Sequence, residues 1–179
     1  MFYNFAMNKI IVISGKQYCG KDTLAKIFLQ KMPDFKRIGI GDAIKLEFGK
    51  RNGLTFDEIE SKKHLFRAGL IELGNEGRAQ DSDFWLKNLA NMNNIIVPDV
   101  RVEHEVEFFK SKGAFLVRVE SSYENRSKRG VIVSADDDTE TALDNYSNWN
   151  ILVENNSDYE ALVEEADKVI KLFSAFVGL

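Results

Sequence analysis

Ser14-Gly15-Lys16-Gln17-Tyr18-Cys19-Gly20-Lys21-Asp22-Thr23 follows directly on the apolar run Lys9-Ile10-Ile11-Val12-Ile13. That order predicts a buried strand, a glycine-bounded loop and a helix opening at Lys21. Glycine, four residues, glycine and lysine is the spacing of a phosphate-binding loop. Glycines at the two ends admit backbone angles and close approaches that a Cβ would block. Loop amides and the helix N-terminus then converge N–H donors and partial positive charge on a phosphate. Gly15 through Thr23 is therefore the expected nucleotide-binding segment, with the Lys21 ammonium following the β and γ phosphates. The alternative, a ligand-free turn, is weakened by the amphipathic helix Thr23-Leu24-Ala25-Lys26-Ile27-Phe28-Leu29 in the required place.

One position departs from the usual pattern. The residue after the lysine is Asp22, where a magnesium-ligating hydroxyl normally stands, and Thr23 comes one place later. Magnesium is then met by Asp22, by Thr23 or through water.

The chain has 179 residues, 44% of them hydrophobic and 29% charged, which suits one globular α/β domain. A formal charge of −4 argues against a general binder of nucleic-acid polymers. Cys19 is the single cysteine, so no intramolecular disulfide forms, and a small loop residue without a redox role is its expected reading. Cys19, His64 and His104 lack zinc spacing. No apolar stretch has the length of a membrane span, and Met1-Phe2-Tyr3-Asn4-Phe5-Ala6 lacks a signal-peptide pattern. A cytoplasmic address is expected, with either Met1 or Met7 as the start. The oligomeric state is open.

Strand and helix signals alternate along the chain. Strands are expected at 9–13, 35–40, 94–97, 115–119 and 151–153, and helices at 42–51, through 63–91 and at 102–112. Thr55-Phe56-Asp57-Glu58 and Ser157-Asp158-Tyr159-Glu160 read as capping boxes. The pattern predicts a mainly parallel sheet covered on both faces, a three-layer α/β sandwich.

Phosphoryl transfer needs in-line positioning and charge neutralisation more than covalent help. Basic residues outside the loop are thus the informative ones: Lys45, Arg67, Arg78, Arg101 and the run Arg126-Ser127-Lys128-Arg129. Arg101 and Asp99 follow a buried strand, at the end where open α/β sheets bind ligands. Asp99 either holds magnesium or caps the following helix. The 126–129 run suits a lid closing over phosphates, or else a solvated basic turn. Arg67 and Arg78 could equally be spent in surface salt bridges. The acidic run Asp136-Asp137-Asp138 reads as an exposed loop rather than a metal site.

Together these residues resemble a group of small P-loop kinases with two branches, the phage-type deoxynucleoside monophosphate kinases and the animal-type phosphomevalonate kinases. Gly20-Lys21-Asp22-Thr23 is similar to both. Ile96-Val97-Pro98-Asp99-Val100-Arg101 with His104-Glu105 resembles the first branch. Gly53-Leu54-Thr55-Phe56, Phe66-Arg67 to Gly74, Arg78, Asp81 and Phe84 resemble the second. So do Arg126, Arg129-Gly130, Glu140 and Leu143-Asp144-Asn145.

The resemblance implies a P-loop NTPase fold of nucleoside-monophosphate-kinase type in a single domain. Its core would take in 7–41, 92–120 and 150–179, its helical acceptor-binding region about 42–91 and its short lid about 121–138. It implies ATP with Mg2+, and a small phosphorylated acceptor. Lys21, Arg101, Arg126 and Arg129 would be catalytic. Asp42, Lys45, Arg67, Arg78, Asp99 and Arg101 would face the acceptor, and Asp22, Thr23 and Asp99 the metal.

Two departures favour a nucleoside or deoxynucleoside monophosphate as acceptor over phosphomevalonate. The loop interior is poorer in basic residues than in the relatives, and Val102 stands where phosphomevalonate kinases carry a second arginine. Tyr18, Phe84 and Trp85 are read either as base-stacking groups or, for the last two, as core. Phosphomevalonate is the alternative acceptor, and a non-catalytic nucleotide switch the second alternative.

Overall fold

The computed structural model describes residues 9–178 apart from 133, 134, 136 and 137. The choice between Met1 and Met7, and the Asp136-Asp137 part of the acidic run, lie outside the described residues. Five strands form one parallel sheet: β1 (Ile10–Ser14), β2 (Lys36–Arg37), β3 (Ile95–Val97), β4 (Phe115–Glu120) and β5 (Ile151–Glu154). Their order is β2-β3-β1-β4-β5. With β1 at the centre, the chain after it runs first to one side of the sheet and then to the other. The carboxyl end of β1 therefore opens at the switch point where such sheets bind ligands.

Alternation along the strands feeds two cores. Ile11, Ile13, Ile96, Val117 and Val153 point to one face, beneath α1 (Lys21–Lys31) and α9 (Tyr159–Phe176), which contribute Leu24, Phe28, Ala166, Val169 and Phe173. Ile10, Val12, Ile95, Val97 and Leu116 point to the other face. There they meet α2 (Ile40–Asn52), α4 (Lys63–Gln80), α5 (Phe84–Ala90) and α6 (Glu103–Ser111). The three-layer α/β sandwich expected from the sequence is present.

Most expected elements fall within a residue or two of their places, and two do not. The second strand stops at Arg37 instead of Ile40. Carboxylates explain the early stop: Asp42 accepts the Gly39 amide at 2.9 Å, and Asp99 accepts those of Ile40 and Gly41 at 3.0 and 3.4 Å. With these N–H groups satisfied, the helix starts at Ile40. The polar segment after β4 is partly helical, forming α7 (Tyr123–Arg129) with Ser122 as its cap, followed by the short α8 (Asp138–Thr141).

Thr55 and Glu58 make the expected capping box of α3 (Phe56–Ser61). At α9 the cap is Asp158 rather than Ser157, its carboxylate accepting the Ala161 amide at 2.9 Å. Trp85 is only 2% exposed, donates its indole N–H to the Gly74 carbonyl at 3.1 Å and packs edge-on to Phe84. Both rings belong to the core, so the base-stacking role is removed from this pair.

Candidate active site

The loop between β1 and α1 is shaped by local sterics. Gly15 has φ +152°, and a Cβ there would lie 2.4 Å from the Val119 carbonyl oxygen. Gly20 caps α1 with φ +105°, and a Cβ there would lie 2.2 Å from the Asn155 amide nitrogen. Both positions require glycine. Tyr18 is also left-handed, at φ 58°. A non-glycine residue in that region costs on the order of 1 kcal/mol and persists where its surroundings fix it. Here the Tyr18 carbonyl is held by the Arg129 guanidinium at 3.2 Å.

The Lys21 ammonium lies in the loop, donating to the Gly15 and Lys16 carbonyls at 2.6 and 2.9 Å. Cys19 is buried, and burial pushes its thiol up despite the nearby Lys21 charge, consistent with a structural loop residue. A cavity of about 450 Å³ opens in front of the loop. Gln17, Tyr18, Gly20, Lys21, Asp22 and Thr23 line it together with Arg37, Pro98, Asp99, Arg101 and Arg129. Most of the expected loop and transfer residues thus meet around one space.

Arg101 projects from the segment after β3 and pairs with Glu140 at 3.0 Å. The other Glu140 oxygen accepts the Gln17 amide at 2.9 Å. Asp99 is a cap, but on α2 and not on the helix that follows it. Burial pushes its carboxyl above the ordinary range, partly offset by the Ile40 and Gly41 amides. Glu105 serves the following helix instead, accepting the Arg101 and Val102 amides.

The two arginines expected in a lid lie in different surroundings. Arg129 borders the cavity in front of the loop and holds the carbonyls of Tyr18, Cys19 and Asn155. Arg126 is buried, donates to the Gln17 carbonyl at 3.2 Å and lies over the Tyr123 ring. It lines a separate cavity of about 380 Å³ with Lys16, Arg118 and Asp144, not the one in front of the loop. Lys16 turns the same way, pairing with Asp144 at 2.6 Å.

A second and larger cavity, of about 670 Å³, adjoins the first. It gathers all five expected acceptor residues other than Arg101: Asp42, Lys45, Arg67, Arg78 and Asp99. Ile44, Phe56, Leu70 and Ile71 supply apolar wall. Lys45 is bound by Asp42 at 2.8 Å and Glu60 at 2.6 Å. Burial opposes the charge of both Asp42 and Lys45, yet their mutual hydrogen bond and further partners prevail. Asp42 is held below the ordinary carboxylate range and Lys45 above the ordinary lysine range.

Several site residues escaped the sequence reading. Arg37 lines both cavities, Glu60 the larger one, and Arg118 the cavity behind the loop. Asn155 holds the Cys19 carbonyl at 2.8 Å. The rule that picked out Arg101 applies equally to Arg37 and Asn155, which stand at or just past the carboxyl ends of β2 and β5. An overlong second strand had hidden Arg37 in its interior.

Comparison with known proteins bears on the chemistry of this arrangement. The sequence model of the family described as phosphomevalonate kinase matches residues 13–115. The chain belongs to the phosphomevalonate kinase family. A phosphomevalonate kinase of Drosophila melanogaster is 28% identical over 139 residues, covering 69% of this chain and 74% of that protein. Membership makes the protein a P-loop kinase acting on a phosphate-bearing substrate. It favours the phosphomevalonate branch of the resemblance, reversing the order of acceptors read from the sequence.

Solved structures extend the fold comparison. Shikimate kinase from Aquifex aeolicus superposes with a TM-score of 0.53 at 21% identity, over 90% of this chain and 96% of that one. A gluconokinase from Sinorhizobium meliloti gives 0.54 at 13% identity, over 95% of each chain. At such identities the likeness is one of fold.

Proposed function

We propose that this enzyme transfers the γ-phosphate of ATP to the phosphate of 5-phosphomevalonate, giving 5-diphosphomevalonate. The observation that carries the proposal is the larger cavity, where Lys45, Arg67 and Arg78 converge with apolar side chains beside the phosphate loop. Phosphomevalonate presents a phosphate and a carboxylate on a short branched aliphatic chain. Several separated cations with Ile44, Leu70 and Ile71 between them suit that shape. A nucleobase would want an aromatic face. Phe56 is the aromatic ring in this wall, and the Lys45 ammonium lies over it at 5.2 Å.

In this reading α2 to α5 bind the acceptor and α7 is the lid. The acceptor phosphate oxygen is already an anion at neutral pH, so no protein base is required. Lys21 leaves the loop carbonyls for the transferring phosphate, and Arg101, lining the same cavity, clamps it. Arg126 and Arg129 dock the lid on the loop and fix the loop's shape. Asp22 and Thr23 offer hard oxygen donors beside Lys21 and line the transfer cavity, which fits magnesium. When bound, the ion offsets charge on the β and γ phosphates.

The test is ADP release from ATP and magnesium with 5-phosphomevalonate and with each ribo- and deoxyribonucleoside monophosphate. Turnover with phosphomevalonate alone is expected. Turnover confined to a nucleotide group would replace this reading.

A further inference from the structure

We propose that Arg37 is a catalytic residue that contacts the donor and acceptor phosphates together; the proposal rests on the phosphate-to-phosphate transfer argued above. The two cavities share Arg37 and Asp99 among their described lining residues. Asp99 is an acid and supplies no positive charge, and its two oxygens already accept α2 amides. Arg37 is therefore the cation at the boundary the migrating phosphoryl group must cross.

Its present partners trace the same boundary. One terminal nitrogen donates to Asp22 at 3.0 Å, at the start of α1 on the donor side. The other donates to Asp42 at 3.3 Å, at the start of α2 on the acceptor side. Both pairs are open to water on the arginine's side, where ion pairs are weak and replaceable. Phosphate oxygens offer the same acceptor chemistry with more charge, and a planar guanidinium grips two of them at once.

Position favours this role as well. Arg37 sits on β2, where it pairs with Ile96 of β3, so its backbone is fixed by the sheet that also positions Asp99 and Arg101. A group on a rigid strand orients substrate better than one on a loop. Two phosphates brought in line repel each other, and a guanidinium between them offsets that repulsion most at the transition state.

The test compares wild type, Arg37→Ala and Arg37→Lys. In Arg37→Ala the phosphomevalonate KM should rise about tenfold or more and kcat should fall at least as far, the loss of a charge-assisted paired contact. Binding of a non-hydrolysable ATP analogue should also weaken, by about tenfold at most, since Arg37 touches the donor phosphate while Lys21 and the loop remain. Arg37→Lys should recover part of KM but little of kcat, because charge returns without the planar fork. A purely structural tie between α1 and α2 predicts instead a lower Tm with KM and kcat within twofold, and that result overturns the assignment.

Calorimetry with inorganic pyrophosphate provides a readout that needs no turnover. The affinity of Arg37→Ala should fall about tenfold relative to wild type. Equal affinities would overturn the role of Arg37 whatever acceptor the enzyme proves to use. Wild type inactive on phosphomevalonate, with pyrophosphate binding still dependent on Arg37, would overturn the acceptor and leave Arg37 in place.

Discussion

Glu140 and Arg101 meet at 3.0 Å, and the second oxygen of the same buried carboxylate accepts the Gln17 amide at 2.9 Å. One side chain from α8 thus connects the segment after β3 to the phosphate loop. It fixes where the Arg101 guanidinium stands relative to Lys21, and in-line transfer is sensitive to that spacing.

Arg101→Ala is expected to lower kcat by about two to three orders of magnitude, as for removal of one charge-stabilising donor. ATP binding should survive, because the loop does not depend on Arg101. Glu140→Gln keeps an acceptor for the Gln17 amide but removes the charge facing Arg101, so a smaller loss of about tenfold in kcat is expected. Stopped-flow turnover with equilibrium ATP-analogue binding checks both. Unchanged kcat in Arg101→Ala would take Arg101 out of the clamp.

Lys21→Met should abolish transfer while leaving Tm within a few degrees. The ammonium contacts only loop carbonyls in the described hydrogen bonds, and the longer-range work is on phosphate charge. Wild-type turnover in this variant would refute the loop assignment.

Replacing Arg126 and Arg129 together by alanine removes donors to the Gln17, Tyr18, Cys19 and Asn155 carbonyls. ATP affinity and Tm should both fall, transfer should slow, and a larger fraction of ATP should be lost to water as the site opens. If transfer does not slow and hydrolysis does not rise, α7 is not the lid.

Asp42 gives a prediction with pH. Its carboxyl lies below its ordinary value of 3.8 because the bonds from Lys45 and the Gly39 amide outweigh burial. The native state therefore binds fewer protons than the unfolded chain between the two values. Stability from Asp42 is fully present above about pH 4 and is lost as pH falls through the lower, folded value. Asp42→Asn should cost about 1–2 kcal/mol at pH 7, shrinking below pH 4. Urea unfolding across this range measures it, and a gap that widens on acidification would reverse the assigned sign.

The central strand, loop and first helix are readable because the glycine–four residues–glycine–lysine spacing stands between a buried apolar run and an amphipathic helix. Arg101 is readable because it lies just past a buried strand. Lys45, Arg67 and Arg78 were found as basic residues, but their convergence depends on how α2 and α4 pack, which no local spacing encodes. Asp99 showed the limit from the other side. The sequence offers it as a magnesium holder or a cap on the following helix, whereas it caps α2, 58 residues away along the chain at Gly41. For Phe84 and Trp85 the sequence leaves base stacking and core packing both open, and the structure places Trp85 in the core with Phe84 packed against it. Glu140 gave no local signal of its role, since its partners Gln17 and Arg101 come from two other parts of the chain.

The most direct measurement of the central claim is the phosphorus NMR spectrum of the product formed from ATP, magnesium and 5-phosphomevalonate. The account predicts loss of the acceptor monoester resonance and growth of a coupled pair from a new diphosphate, in step with ADP. An unchanged phosphomevalonate resonance while a nucleoside monophosphate in the same tube becomes its diphosphate would contradict it.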